Sequence, residues 1–281
     1  MFNVGCFDSS RRAFTLVELL VVISILGVLA YLTMPALKNW SKSDATISAS
    51  RQLLDDVGRA RQLAISQRTT VYMVFVPMNY WFPTWLDANG QNPTPAWASL
   101  TLAQQTAVTN LCDKQLTGYT FVSLRTVGDQ PGQGVPRYLT PWQNLPDGTF
   151  IALAKYTNLP TQYYTIKDLV SNVPYNIYGF TNVAVPFPTA DATNRITLPC
   201  IAFNYLGQLT FDGVNMANRD EYIPLAKGSI SLARDLSTKA LIPGPADVLE
   251  MPPGNSTNSS YNIVHIDRLT GRAILEFQKL R

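Results

Sequence analysis

The chain has 281 residues, with 22 Lys or Arg against 19 Asp or Glu, and its formal net charge is +3 at pH 7. A charge this small gives no sign of nucleic-acid binding, and a hydrophobic content of 46% excludes a disordered chain. The three cysteines are scattered and His265 is the only histidine, which disfavours a metal site and any catalytic unit that needs histidine. We therefore predict neither an enzyme nor a cofactor.

Residues 14–37 form a long apolar segment whose single charge is Glu18. At about 1.5 Å per residue, a helix of this length reaches roughly 36 Å, enough to cross a hydrocarbon core of about 30 Å. Arg11 and Arg12 stand directly before the segment, which favours a cytoplasmic N-terminus and a translocated C-terminal body. The sequence therefore predicts a membrane span over residues 14–37, preceded by a leader at residues 1–13.

Glu18 needs an explanation, because a carboxylate in a membrane segment costs on the order of 2.5 to 3.5 kcal/mol on insertion scales. It lies four residues after Phe14. Cutting the bond between Ala13 and Phe14 would create an amine, and that amine is a natural partner for Glu18 in the same chain or in a neighbour. The alternative is a carboxylate close to the interface that reaches the lipid headgroups.

Residues 12–23, RAFTLVELLVVI, resemble the processing and methylation motif of type IV prepilins and type II secretion pseudopilins. The resemblance implies that a prepilin peptidase cuts between Ala13 and Phe14 and methylates Phe14. It also implies that Glu18 pairs with the amine of an adjacent subunit during assembly. The family normally has Gly before the cut, where this chain has Ala13. Pro35 matches the proline that bends the first helix of the family, and a proline inside a helix is expected to kink it.

This resemblance also implies a location and partners. The chain would be a single-pass protein of the bacterial inner membrane, with its head in the periplasm, and would then be assembled into a pilus or pseudopilus. The implied partners are prepilin peptidase and other pilin or pseudopilin subunits. Residues 4–6 loosely resemble the end of a lipoprotein signal at Cys6, but the apolar stretch that must precede such a cysteine is missing.

Residues 38–68 continue the helical pattern in amphipathic form. Ser50, Leu53, Val57, Ala60 and Ala64 fall on one face, and the other faces carry the polar residues Asp55, Asp56, Arg59, Arg61 and Arg68. We therefore predict one helix over residues 14–67, with its second half packed on a globular head.

The head, residues 69–281, reads as β-rich, which makes the fold class α+β. Residues 71–76 predict a buried strand directly after the helix. Residues 78–199 are punctuated by Pro and Gly and contain all but one of the tryptophans, so we interpret them as an insertion with a helix over residues 100–111 and short strands at residues 150–154 and 175–180.

The final third predicts strands or hairpins at residues 200–211, 228–234, 261–267 and 271–277, with Gly207 and Gly271 in turns that tolerate positive φ. Residues 251–260 predict a loop. This order, together with residues 51–66, looks like the H-type minor pseudopilins of type II secretion. That likeness implies a low-abundance subunit near a filament tip that helps to initiate assembly.

Three weaker site hypotheses remain. Asp212, Asn215 and Asp220 are calcium candidates, although their spacing is not that of an EF-hand. Cys112 and Cys200 would both reach an oxidising compartment, where a disulfide between them is allowed. His265 lies in an alternating strand, which is typical of a structural histidine.

The favoured function is a structural and assembly subunit of a pseudopilus or type IV pilus. The alternatives are a filament-tip adhesin or a substrate- or DNA-binding minor pilin that uses residues 78–199, and a membrane-tethered enzyme, which the composition disfavours.

Overall fold

The computed structural model describes residues 16–78, 100–126, 128–129, 134–167, 173–187, 190, 194–239, 241–242, 244–257 and 262–277. The side chains of residue 30 and residues 32–44 lie outside this description, although the helix runs through them. The chain divides into two compact units, Met1–Asp44 and Ala45–Arg281. We call the second unit the head.

The first helix, α1, begins at Leu16 and ends at Gln67, which confirms the long helix predicted from the sequence. Within the head, the predicted apolar face is fully buried, including Leu53, Val57 and Ala60. The helix ends in a Schellman motif: Arg68 has a φ of 48°, and the N–H groups of Arg68 and Thr69 donate to the carbonyls of Ile65 and Ala64. Glycine usually fills this left-handed position.

The other elements follow α1 in one succession. The first group is β1 (Val71–Phe75), α2 (Leu102–Cys112), β2 (Gly118–Ser123), β3 (Arg137–Tyr138), β4 (Gln143–Asn144), β5 (Thr149–Ile151) and α3 (Ala154–Thr157). The second group is β6 (Tyr163–Lys167), β7 (Pro174–Tyr178), β8 (Thr181–Pro186), β9 (Arg195–Phe203), β10 (Leu209–Thr210), β11 (Glu221–Ser231), β12 (Asp247–Glu250), β13 (Asn262–Ile266) and β14 (Ala273–Phe277). The mixed α+β class predicted from the sequence is therefore correct.

The strands pair in three antiparallel sheets. A seven-stranded sheet has the order β10-β9-β1-β2-β3, with β4 also on β2 and β8 also on β9. A five-stranded sheet has the order β12-β11-β13-β14, with β5 also on β11, and β6 pairs with β7 alone. The register places Val71 of β1 between Ser123 of β2 and Phe203 of β9. The strand that directly follows α1 is therefore central in the larger sheet.

Two helices cover the seven-stranded sheet from opposite faces. Met73 and Phe75 belong to the core cluster that contains the buried face of α1. Val74 and Val76 belong to a second cluster with α2, whose Val108 and Leu111 are buried there. A strand that is covered on both faces has a continuous apolar sequence. This explains why residues 71–76 could be predicted as a strand from the sequence.

The predicted helix over residues 100–111 is observed as α2, and a capping box explains its start. Thr101 and Gln104 exchange hydrogen bonds between side chain and backbone in both directions. The predicted turns are also observed, since Gly207 and Gly271 have φ angles of 78° and 62°. Met251–Thr257 forms turns rather than a strand, as predicted for the start of that loop.

Residues 78–199, interpreted as an insertion, supply strands to both main sheets. Strand β2 is buried along its whole length beside β1, β8 pairs with β9, and β5 pairs with β11. The described part of this stretch is therefore built into the head. Deleting residues 78–199 would remove β2 from the middle of the sheet. Such a deletion would disrupt the fold, so it could not test a binding role of these residues by itself.

Candidate functional site

The first turns of α1 display apolar side chains in all directions. The exposed side chains include Leu16, Val17, Leu19, Leu20, Ile23, Leu26 and Leu29, and the exposed fraction is 80% at Leu16 and 53% at Leu29. A helix that is apolar all round requires burial by another apolar body, because a soluble helix normally has one polar face. This part of α1 is therefore a surface that needs a partner or a lipid environment.

Glu18 lies in the first turn of this surface and is exposed. A carboxylate near a helix N-terminus is favoured by the helix dipole, so its place is compatible with the helix itself. A carboxylate that becomes buried when such a surface is covered requires a positive charge or a hydrogen-bond donor beside it.

Several predicted site residues lie outside the described part of the chain. The cleavage pair, Ala13 and Phe14, is among them. Pro35 lies within α1, but its side chain is outside the described part. Across the residues described, no helix is both long and apolar enough to cross a membrane, so the predicted span at residues 14–37 is not confirmed.

A polar network anchors α1 to the seven-stranded sheet. The hydroxyl of Tyr119, on β2, donates to Asp56 Oδ2 at 2.5 Å and accepts from Gln52 Nε2 at 2.7 Å. Gln52 also donates to the carbonyl of Asn144 at 2.8 Å. Burial raises the pKa of Asp56, and the hydrogen bond from Tyr119 opposes that rise. The sequence pattern had placed Asp56 on a polar face, and this was wrong, because Tyr119 covers it.

The C-terminal strands hold the other side of α1. Asn262 donates from Nδ2 to Ser50 Oγ at 2.7 Å, and Arg61 donates from Nε to the carbonyl of Thr270 at 2.6 Å. The turns at Gly207 and Gly271 meet beside Arg61, where a Cβ on Gly271 would lie 2.1 Å from the carbonyl oxygen of Gly207. Glycine is required at position 271 for this approach. The helix is thus tied to both main sheets.

Two of the three calcium candidates contact each other, since Asn215 donates from Nδ2 to Asp212 Oδ2 at 2.7 Å. Asp212 is an exposed turn residue whose Oδ1 accepts from the backbone N–H groups of Val214 and Asn215, and these hydrogen bonds lower its pKa. Asp220 instead contacts His265 Nε2 at 3.1 Å. Among the described residues, no group of three or more His, Cys, Asp and Glu could hold a metal ion. The calcium hypothesis therefore gains no support.

The two cysteines of the head carry thiols, so the disulfide between them is not formed in this structure. Cys112 and Cys200 are buried in the cluster between α2 and the seven-stranded sheet. Burial raises the pKa of the Cys200 thiol to about 12, so the thiol is protonated at neutral pH. Both residues pack as small apolar side chains.

His265 is a structural residue of β13, as its alternating strand indicated. Its ring stacks on Tyr222 with 4.6 Å between the centroids, and its Nδ1 lies 3.5 Å from Glu276 Oε1 on β14. With Asp220 at Nε2, the ring connects three neighbouring segments of the five-stranded sheet.

Sequence reasoning missed a buried ion pair in the head. Lys155 of α3 contacts Glu221, the first residue of β11, and neither side chain is more than 4% exposed. Charged residues are rarely buried to this extent, but the two positions are 66 residues apart and no local pattern joins them. Only the fold could reveal the pair.

The family comparison finds a known motif in the N-terminal segment. The model of the prokaryotic N-terminal methylation motif matches residues 8–30. The chain carries a prepilin-type N-terminus. This match contains Ala13, Phe14 and Glu18, and it supports the type IV pilin and pseudopilin family. It contains no residue of the head, so it does not confirm the H-type assignment. No curated protein and no solved structure matches the chain.

Proposed function

We propose that the protein is a non-enzymatic subunit of a bacterial type II secretion pseudopilus or type IV pilus. The methylation motif carries this proposal, because it includes a cleavage position, a residue for methylation and an assembly carboxylate. The apolar surface of α1 supports it, since that surface needs another apolar body to bury it. Membrane lipid covers it before assembly, and the helices of other subunits cover it afterwards.

Processing precedes assembly in this proposal. Prepilin peptidase cuts before Phe14 and methylates the new amine, and the leader with Cys6 is lost. Glu18 of one subunit then pairs with the Phe14 amine of the next. An ion pair in an apolar filament core has a high cost when one partner is missing, about 3 to 5 kcal/mol.

The cleavage position offers the first test. The protein is produced in cells with and without prepilin peptidase, and the N-terminal peptide is analysed by mass spectrometry. We expect methylated Phe14 only with the peptidase. Ala13→Gly should raise the cleaved fraction and Ala13→Leu should abolish cleavage, because the position requires a small side chain. An unprocessed Met1 with the peptidase present would overturn the proposal.

Glu18 offers the second test. Glu18→Gln keeps the shape of the side chain and removes its charge, so the variant should be processed normally but enter filaments at least about tenfold less. Glu18→Asp keeps the charge and serves as the matched control. Filament content is measured by shearing and immunoblotting. Equal incorporation of Glu18→Gln and the unaltered chain would contradict the assigned role of Glu18.

The finer assignment is a minor, H-type pseudopilin. Its support is the order of the elements, in which one helix continues directly into a central strand and hairpins follow at the C-terminus. Such a subunit should be scarce in filaments and should co-purify with other minor pseudopilins in a complex of one copy each. A chain that forms long filaments alone would instead be a major subunit.

A further inference from the structure

The pair of Lys155 and Glu221 is buried inside the head. Lys155 Nζ contacts Glu221 Oε1 and donates to the carbonyl of Tyr178 at 2.6 Å. The same ammonium lies 4.7 Å from the centroid of the Phe180 ring. The exposed fractions of the two side chains are 0% for Lys155 and 4% for Glu221, so both are shielded from the bulk solvent.

Desolvation drives both groups towards their neutral forms. Burial lowers the pKa of Lys155 and raises the pKa of Glu221, and the attraction between them opposes each shift only in part. A neutral amine is a nucleophile, and a protonated carboxyl group can lose its hydroxyl as water. The site therefore holds the two reactants of an amide condensation in contact, and proximity of this kind lowers the barrier to reaction.

Arg219 adds a positive charge to the same site. Its guanidinium lies 4.0 Å from the ring centroid of Tyr178 and 4.5 Å from that of Phe211, and its charge acts on both Lys155 and Glu221. Its Nε is buried and has no hydrogen-bond acceptor among the described residues. A fixed positive charge here would stabilise the oxyanion that forms when an amine attacks a carboxyl carbon.

We propose that Lys155 and Glu221 form an intramolecular isopeptide bond after the head folds. Lys155 Nζ attacks Glu221 Cδ, and the bond between Cδ and the carboxyl hydroxyl breaks. One proton from the nitrogen leaves with that hydroxyl, so the products are a secondary amide and one water molecule. No oxidant, reductant or further reactant takes part.

The bond would join two parts of the head that are distant in sequence. Lys155 follows β5, and Glu221 begins β11, the strand on which β5 pairs. The cross-link therefore closes a loop of 66 residues that contains β6 to β10. It would keep the segment from β6 to β10 attached to the five-stranded sheet under mechanical load, when hydrogen bonds alone would break.

Tryptic mapping of the full chain tests the proposal. Trypsin cuts after Arg137 and Lys167 and after Arg219 and Lys227, but it cannot cut after an amidated Lys155. We expect peptide 220–227 to appear joined to peptide 138–167, with a mass lower by one water than the sum of the two. The intact protein should likewise lack one water, and on denaturing gels it should run ahead of a Lys155→Arg control.

The Glu221→Gln variant sharpens the test. A condensation at this position would release ammonia in place of water, so the mass loss should change accordingly, while Lys155→Arg should show neither loss. A folded, unaltered protein with its full mass and with free peptide 220–227 would overturn the proposal and leave an ordinary ion pair. Because that result comes from the unaltered chain, failure of a variant to fold does not affect it.

Discussion

Replacing Tyr119 with Phe removes two hydrogen bonds between α1 and the seven-stranded sheet, one to Asp56 and one from Gln52, and only the first involves a group that titrates. The substitution removes only the hydroxyl that donates to Asp56 Oδ2 at 2.5 Å and leaves the ring in the core. A hydrogen bond to a charged group contributes about 1.5 to 3 kcal/mol, whereas a neutral one contributes about 0.5 to 1.5 kcal/mol. We expect Tyr119→Phe to lower the free energy of unfolding by the larger amount when Asp56 is ionised.

The effect should depend on pH with a definite sign. Burial raises the pKa of folded Asp56 above the ordinary value of 3.8, so the folded state holds this proton more tightly than the unfolded state does. Stability therefore falls as the pH rises from about 3.8 through the pKa of the folded state. Without the Tyr119 donor that pKa rises further, so the variant loses more stability near neutral pH than near pH 4.

Urea unfolding of a fragment that starts at Ala45 measures both quantities. Tyr138→Phe is the matched control, because the Tyr138 hydroxyl donates to a neutral group, the carbonyl of Pro186, at 2.6 Å. It should cost about 0.5 to 1.5 kcal/mol at either pH. An equal loss for Tyr119→Phe near pH 4 and near pH 7, or a loss no larger than that of the control, would refute the role assigned to Asp56.

Three further sites give simpler predictions. Gly58 lies on an exposed face of α1 with open space around it, so Gly58→Ala should raise stability by about 0.8 to 1 kcal/mol in thermal melts. Gly271→Ala should lower it, because the new Cβ meets the Gly207 carbonyl and φ is 62°; an unchanged melting temperature would contradict the close approach. Burial raises the pKa of Cys200 to about 12, so the thiol should resist alkylation at pH 8 until urea unfolds the head, and rapid labelling of the folded protein would show that Cys200 is accessible.

The elements that the sequence predicted well are those in which local pattern and burial agree. The buried face of α1 repeats at helical spacing, and β1 is a continuous apolar run because helices cover both faces of its sheet. The turns at Gly207 and Gly271 were recognisable because positive φ restricts the residue type. In each case, the signal lies within a few neighbouring residues.

The elements that were missed depend on contacts between distant residues. Strand β11 begins at Glu221, seven residues before the predicted strand. Pro224 lies in the part that was missed, and proline is unusual inside a strand. The carbonyl of Pro224 nevertheless accepts a hydrogen bond from the N–H of Ala152. Asp56 appeared polar and exposed because its partner, Tyr119, lies 63 residues away. The N-terminal motif shows the opposite situation. Its sequence pattern is recognisable, although the cleavage pair lies outside the residues that the structure describes.

The ties between α1 and the C-terminal strands also set the order in which the head can fold. Asn262 reaches Ser50 across 212 residues of chain, and Arg61 reaches Thr270 across 209. Contacts at such separations form slowly, since the loop between them must close first. The side of α1 that packs on the C-terminal strands therefore stays uncovered until nearly the whole chain has been made. The nascent chain would have to be shielded from aggregation throughout that interval, which makes early release of the N-terminal helix a hazard for the cell.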